Sequence, residues 1–328
     1  MIARRSFITL LGGAAAAWPV VARGQQAAMP VIGFLSTSSP DGIAIRLKAF
    51  RQGLKDAGYV EGQNVTVEYR WAEDQYQRIA ALAAELVQRQ VAVIVSSSTL
   101  SVVAAKAATA TIPIVFEAGV DPVTTGLVTR LDRPSGNVTG VTNLNVEIGP
   151  KRLELLHELL PSVTVIAALV NQANSVLAEP FVRGLQAAAR KLGVQLHLIN
   201  ASTEQDFDRV SAELVRLRAG GLVIMSDQFF SSRVEHLAAL TNHLAIPAIY
   251  QYPPFVNAGG LLSYGPNQID NYRLVGNYTG RILKGDKLAD LPVVQSSKVE
   301  LIINLKTAKT LGITVPLSLL GRADEVIE

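Results

Sequence analysis

"VAVIVSSSTLSVVAAKAA" (91–108) is the stretch whose reading decides the fold. Five apolar residues of the fully buried strand type run into Ser96, Ser97, Ser98 and Thr99, and an alanine-rich helical pattern begins at once. Strand, polar turn and helix in that order open a crossover unit of a parallel sheet. A helix N-terminus leaves backbone N–H groups unpaired and carries about half a positive charge. Ser98 or Thr99 is therefore expected as an N-cap. One cap needs one hydroxyl. The others lie at the C-terminal end of a strand, where open α/β sheets bind ligands, and they suit a carboxylate or phosphate.

The same order recurs on both sides. "VIGFL" (31–35), an amphipathic helix over 41–57, the alternating strand "NVTVEYRW" (64–71) and a helix over 74–89 precede it. A helix over 99–109 and "IPIVFEA" (112–118) follow. A second α/β layer is read from "TVIAALVN" (164–171), a helix over 175–192, "VQLHLINA" (194–201), a helix over 204–218, "GLVIMS" (221–226), a helix over 229–243 and "IPAIYQY" (246–252). "VAVIVSSST" then "IPIVFE" is echoed by "GLVIMSDQ" then "IPAIYQ", which argues for two similar domains. "RPSGNVTGVTNLN" (133–145), rich in Gly, Asn and Thr, reads as a crossing segment. A further strand (259–265), a helix (268–284) and a last strand (299–305) suggest returns to each domain in turn. The expected fold is α/β, with two Rossmann-like parallel-sheet domains joined by a hinge. Residues 30–142 plus 258–290 are expected in the N-terminal domain and 143–257 plus 291–328 in the C-terminal one.

The 328 residues are 49% hydrophobic and 17% charged, enough for two full cores. The absence of cysteine excludes disulfides, thiolate metal sites, cysteine nucleophiles and a lipidated cysteine. Residues 1–24 read as an export signal: Arg4 and Arg5 precede an apolar stretch, and Ala22 and Gly24 fit a cleavage site. The arginine pair resembles a twin-arginine signal; the Sec route and an uncleaved anchor are the rivals. The apolar stretch is short for a membrane span, which needs roughly 20 residues. Without Arg4, Arg5 and Arg23 the formal charge of +3 becomes 0, so no nucleic-acid partner is implied. An exported, periplasmic and monomeric protein is expected.

Catalytic motifs are scarce. No G-x-S-x-G elbow, G-x-x-x-x-G-K-[ST] loop or G-x-G-x-x-G fingerprint occurs, and no pair among His157, His197, His236 and His243 has zinc-site spacing. Neither catalysis, a cofactor nor a metal is expected. The polar candidates lie after strands instead: Ser36 and Thr37; Ser97, Ser98 and Thr99; Glu117; Asn171; and Asp227. Hydroxyls on one domain and Asp227 on the other match a zwitterion, with Asp227 also readable as a plain N-cap. Phe116, Phe229, Tyr250 and Tyr252 could wall a ligand side chain, though Phe116 and Tyr250 also read as strand core.

"DPVTTGLV" (121–128), "GNVTGVT" (136–142), "KRLELLHELLP" (151–161), "GGLLSYGPN" (259–267), "RILKGDKLADLPV" (281–293) and "ELIINLKTAKTLGI" (300–313) resemble bacterial ABC-importer substrate-binding proteins of the tryptophan/tyrosine type. The resemblance covers nearly all of the chain after the leader. It implies the type I periplasmic binding protein architecture and a hinge closing on a small molecule. It also implies delivery to a permease with ATPase subunits. It further implies that Ser97, Ser98 and Thr99 hold a ligand carboxylate and Asp227 its amine. The family's "T-D-N" reads Ser226-Asp227-Gln228 here, and the loop after the third strand lacks the Thr-Pro seen in many members. A ligand sensor presenting its guest to a membrane receptor is the alternative; a LacI-type regulator would need a DNA-binding headpiece where this chain has a leader.

Overall fold

The computed structural model describes residues 29–134, 136–296 and 298–328; the expected export signal lies outside them. The first lobe begins with β1 (Val31–Ser36), α1 (Ala44–Asp56), β2 (Thr66–Trp71), α2 (Ile79–Gln88), β3 (Val93–Ser96), α3 (Thr99–Ala108), β4 (Ile114–Ala118) and β5 (Val138–Thr142). The chain then enters the second lobe with α4 (Gly149–Leu159), β6 (Val165–Val170), α5 (Ser175–Leu192), β7 (Gln195–Asn200), α6 (Asp206–Leu217) and β8 (Gly221–Ile224). Two helices, α7 (Gln228–Ser231) and α8 (Val234–His243), lead to β9 (Ala248–Tyr250), α9 (Pro253–Asn257) and β10 (Leu262–Pro266). Then come α10 (Gln268–Leu283), β11 (Val294–Gln295), β12 (Val299–Asn304), α11 (Leu305–Thr310), α12 (Leu317–Leu320) and β13 (Glu325–Ile327).

Two sheets result. One has the order β11-β5-β4-β3-β1-β2, parallel throughout. The other runs β13-β12-β10-β9-β8-β6-β7 and is parallel except where β10 meets β12. Helices cover both sheets, so the central strands are buried on both faces, as "VIVS" of β3 shows with four buried residues in four. This is the two-domain Rossmann-like α/β architecture the sequence led us to expect.

Three expectations are corrected. The strand expected to open the return to the first domain at residue 258 is β10, which pairs with β9 and β12 in the second sheet. The return comes after it, with α10. That helix lies against α1 at a crossing made by two glycines: a Cβ on Gly53 would sit 1.8 Å from the Arg273 carbonyl oxygen, and one on Gly276 2.1 Å from that of Phe50. Backbones this close admit no side chain, which holds α10 in the first lobe. The edge strand β11 also pairs with β5, so the final crossing to the second lobe falls between β11 and β12. The helix expected over 229–243 is broken at Arg233 (φ −128°), whose guanidinium donates to the Phe229 carbonyl at 2.9 Å.

Candidate functional site

The first-lobe corner is built by the quoted stretch. β3 ends at Ser96, and Ser98 takes extended backbone geometry as N-cap of α3. The Ser98 hydroxyl accepts from the Ser101 N–H at 3.2 Å, and the Ser101 hydroxyl accepts from the Ser98 N–H at 3.0 Å, a reciprocal capping box. Thr37 donates to the Ser98 hydroxyl at 3.2 Å, and Ser36 accepts from the Ser38 N–H. Thr99 accepts from the Gly119 N–H at 3.1 Å, tying the corner to the loop after β4. Ser38, Ser96 and Ser97 keep buried hydroxyls without a partner among the described residues. Ser97 stands between the cap and the strand, and its carbonyl accepts from Tyr272 of α10 at 2.8 Å.

The second-lobe corner centres on Asp227, N-cap of α7 and 3% exposed. Its carboxylate accepts from the Tyr76 hydroxyl at 2.8 Å, Asn171 at 2.9 Å, Asn174 at 2.7 Å and the Phe229 N–H at 3.0 Å. Burial pushes its pKa up; the Asn174, Asn171 and Tyr76 donors oppose the shift. A carboxylate offers about four lone-pair sites, and these donors fill them. The role of holding a ligand amine, expected for Asp227, therefore meets acceptor positions already taken by its own chain. Burial and the adjacent Asp227 charge push the Tyr76 phenol well above its ordinary value, so it remains a donor.

Tyr76 belongs to the segment after β2, so its bond to Asp227 joins the lobes. Two neighbours do the same. Asp74 pairs with Arg233 at 2.7 Å, and Arg46 of α1 donates to the Gln228 side chain at 3.0 Å. Glu73 and Asp74 both have left-handed backbones (φ 52° and 61°), a conformation non-glycine residues adopt at a cost of roughly 1–2 kcal/mol each. The turn is anchored by the Asp74 N–H on the Thr37 carbonyl at 2.8 Å. With these three bridges made, the lobes are closed on each other.

Between the corners lies a charged cluster. Glu117, at the end of β4, is 3% exposed. Burial raises its pKa to about 7, against the Arg46 charge and the Asn143 and Asn271 amides. Asn143 donates to it at 2.5 Å. The Arg46 guanidinium donates to the Gly42 carbonyl at 2.6 Å and lies 5.8 Å from the centre of the Tyr272 ring. The Tyr252 hydroxyl accepts from Asn145 at 2.6 Å and meets Ser226 at 3.0 Å; burial pushes its pKa to about 12. Arg46 and Tyr252 also line a groove of about 920 Å³ between α1, α9 and the start of α10, together with Ile43, Pro253, Phe255 and Ile269. Nearby, Arg152 is fully buried and donates to the Asn145 carbonyl and side chain and to the Tyr264 carbonyl, joining two crossing segments; burial lowers its pKa to about 10.

The expected residues thus separate. Ser36, Thr37, Ser97, Ser98, Thr99, Glu117, Asn171 and Asp227 all lie at the facing strand ends. Phe116 and Tyr250 do not form a wall. Side chains alternate along a strand, so Phe116 enters the first-lobe core with Ile114 and Val102, while Glu117 turns the other way. Tyr250 stacks on Phe255 at 4.8 Å, and its hydroxyl meets Thr241 at 2.6 Å. Phe229 stacks on Phe207 at 5.7 Å under the Arg233 guanidinium. Arg46, Asp74, Tyr76, Asn143, Asn145, Asn174 and Tyr272 were not anticipated. For Asp74 and Tyr76 the signal was available: they follow β2 as the hydroxyls follow β3. Among the described residues no group of three or more His, Cys, Asp or Glu could hold a metal ion.

Comparisons with known proteins give the family and the fold. A family model described as "ABC transporter substrate binding protein" matches residues 30–327. A tyrosine-binding protein of Clostridioides difficile is 30% identical over 268 residues, covering 80% of this chain and 75% of that protein. The structure of a conserved domain protein from Vibrio cholerae is 26% identical with a TM-score of 0.82, covering 91% of this chain and 99% of the other. An ABC domain from Streptococcus pneumoniae, solved in complex with L-Trp, is 26% identical with a TM-score of 0.78, covering 90% of this chain and 100% of the other.

Proposed function

Because this chain belongs to the ABC transporter substrate-binding protein family, we propose that it is the solute-capturing component of an ABC importer, working outside the cytoplasmic membrane. In this reading it performs no catalysis. It takes a small carboxylate-bearing molecule between the lobes, closes, and hands it to a permease driven by ATPase subunits. No helix among the described residues is long and apolar enough to cross a membrane.

The observation that carries the reading is the set of bridges across the cleft: Tyr76 to Asp227, Asp74 to Arg233 and Arg46 to Gln228. All three join groups on opposite lobes and exist only when the lobes meet, so they distinguish a closed from an open state. A ligand that binds the closed state better shifts the population toward it, and closure is what a permease can sense. The relatives' guests, tyrosine and L-Trp, support an aromatic amino acid or related acid. The Ser97 hydroxyl, buried and unpaired at the head of α3, receives the carboxylate. Asp227 acts as the latch.

Native mass spectrometry of the purified protein tests this through any co-purified molecule. Calorimetry with aromatic amino acids and aromatic acids, paired with small-angle scattering, then reads binding and compaction together. Binding of such an acid with compaction supports the proposal. A ligand without a carboxylate, or binding that leaves the shape unchanged, defeats it.

A further inference from the structure

The proposed carboxylate-bearing guest is the premise for a reading of the two charges at the centre of the cleft. Arg46 is only 7% exposed and has no ion-pair partner among the described residues. Of its five N–H donors, one bonds Gln228 and one the Gly42 carbonyl. Glu117 is deeper still and also lacks an ion-pair partner among the described residues. The two are neighbours: the Arg46 charge acts on Glu117, and both act on Tyr252 and on Tyr272. They nevertheless do not come within ion-pair distance.

Burying opposite charges and holding them apart is costly, because neither desolvation is repaid by the other. Arg152 shows the contrast. Its buried guanidinium is directed at the Asn145 and Tyr264 oxygens and has a purely internal explanation. Arg46 and Glu117 are each left with unfilled hydrogen-bonding capacity: the Arg46 guanidinium lies 5.8 Å from the centre of the Tyr272 ring and lines the groove together with Tyr252, and the buried Glu117 carboxylate accepts from Asn143 at 2.5 Å.

We propose that Arg46 and Glu117 are the two poles of a zwitterion site: the Arg46 guanidinium, with Ser97, receives the guest's carboxylate, and the Glu117 carboxylate receives its ammonium. The guest is then an α-amino acid rather than a simple acid. Its body extends toward the groove past Ile43 and Phe255. This residue pair, and not Asp227, sets the requirement for an amine.

Calorimetry on the full chain decides it, using L-tyrosine, 3-(4-hydroxyphenyl)propionate and tyramine, and the matching series L-tryptophan, indole-3-propionate and tryptamine. The wild type is expected to bind the amino acid at least about thirtyfold tighter than the acid lacking the amine, the scale of losing a buried charged partner. Glu117→Gln brings that ratio close to one. Arg46→Gln weakens the carboxylate probes far more than the amines. A wild-type ratio near one overturns the zwitterion site while leaving the carboxylate proposal standing, and it needs no variant that must fold. An unchanged ratio in Glu117→Gln overturns it as well. Binding of the amines alone, or of none of the six, overturns the carboxylate reading and this one with it.

Discussion

Two strand-to-helix corners face each other in this molecule, each capped by a side chain. At the first, Ser98 closes a capping box with Ser101, and Thr99 holds a neighbouring loop, so the capping groups are satisfied within one lobe while the Ser96 and Ser97 hydroxyls stay without a partner among the described residues. At the second, Asp227 caps a four-residue helix but also receives Tyr76 from the opposite lobe. The echo between "VAVIVSSST" and "GLVIMSDQ" is a real likeness of local structure. The difference lies in reach: a neutral hydroxyl stabilises a helix, whereas a buried carboxylate needs several donors and recruits them across the cleft.

The largest test of that contrast is Asp227→Ala. It leaves Tyr76, Asn171 and Asn174 with buried donors and no acceptor, and should cost about 3–5 kcal/mol, read from urea unfolding. Small-angle scattering should show the lobes apart. A loss under about 1 kcal/mol would mean that the donors find water or each other and that Asp227 is only a cap.

Glu117 provides the next test, through pH. Its folded pKa of about 7 lies above the ordinary 4.5, so the native state holds the proton more tightly than the unfolded state. No penalty exists below the unfolded value. It builds as pH rises from about 4.5 and is complete above about 7, at roughly 3 kcal/mol for a group this buried. Stability should therefore fall across that window in the ligand-free wild type. Glu117→Gln should flatten the fall, as followed by denaturant midpoints at several pH values. Parallel profiles for the two proteins would show that the carboxyl is not desolvated.

Tyr76→Phe removes one hydrogen bond to a charged acceptor, worth about 1.5–3 kcal/mol, and only in the closed state. Ligand affinity should drop about tenfold or more with little change in the shape of the open form. At the small end, Ser98→Ala should cost about 1 kcal/mol of stability, the value of an N-cap. If Ser98→Ala rather than Tyr76→Phe opened the lobes in scattering, the comparison between the corners would be reversed.

The layers were legible because "VAVIV", "GLVIM" and their relatives are short apolar runs ending in polar turns, a pattern set by burial on both faces. The placement of β10 was not legible. "GGLLSYG" looks like any opening strand, and its sheet is fixed by antiparallel pairing with a segment far along the chain. The break at Arg233 was likewise hidden, since its guanidinium bonds the Phe229 carbonyl and, in a tertiary contact, Asp74 of the other lobe. Phe116 and Glu117 are adjacent in sequence and opposite in role, which strand alternation foretells once the strand is placed. Arg46 gave no signal: on an amphipathic helix a lone arginine reads as solvated, and only the packing of α1 beside the cleft buries it.

The crossing at Gly53 and Gly276 has a consequence for how the molecule is made. The first 142 residues leave the ribosome with five strands of the first sheet, but α10 and β11, which complete that lobe, follow only after β10. Until then the face of the sheet that receives α10 is covered by α1 alone. The lobe that is translated first therefore receives its last elements only near the end of the chain.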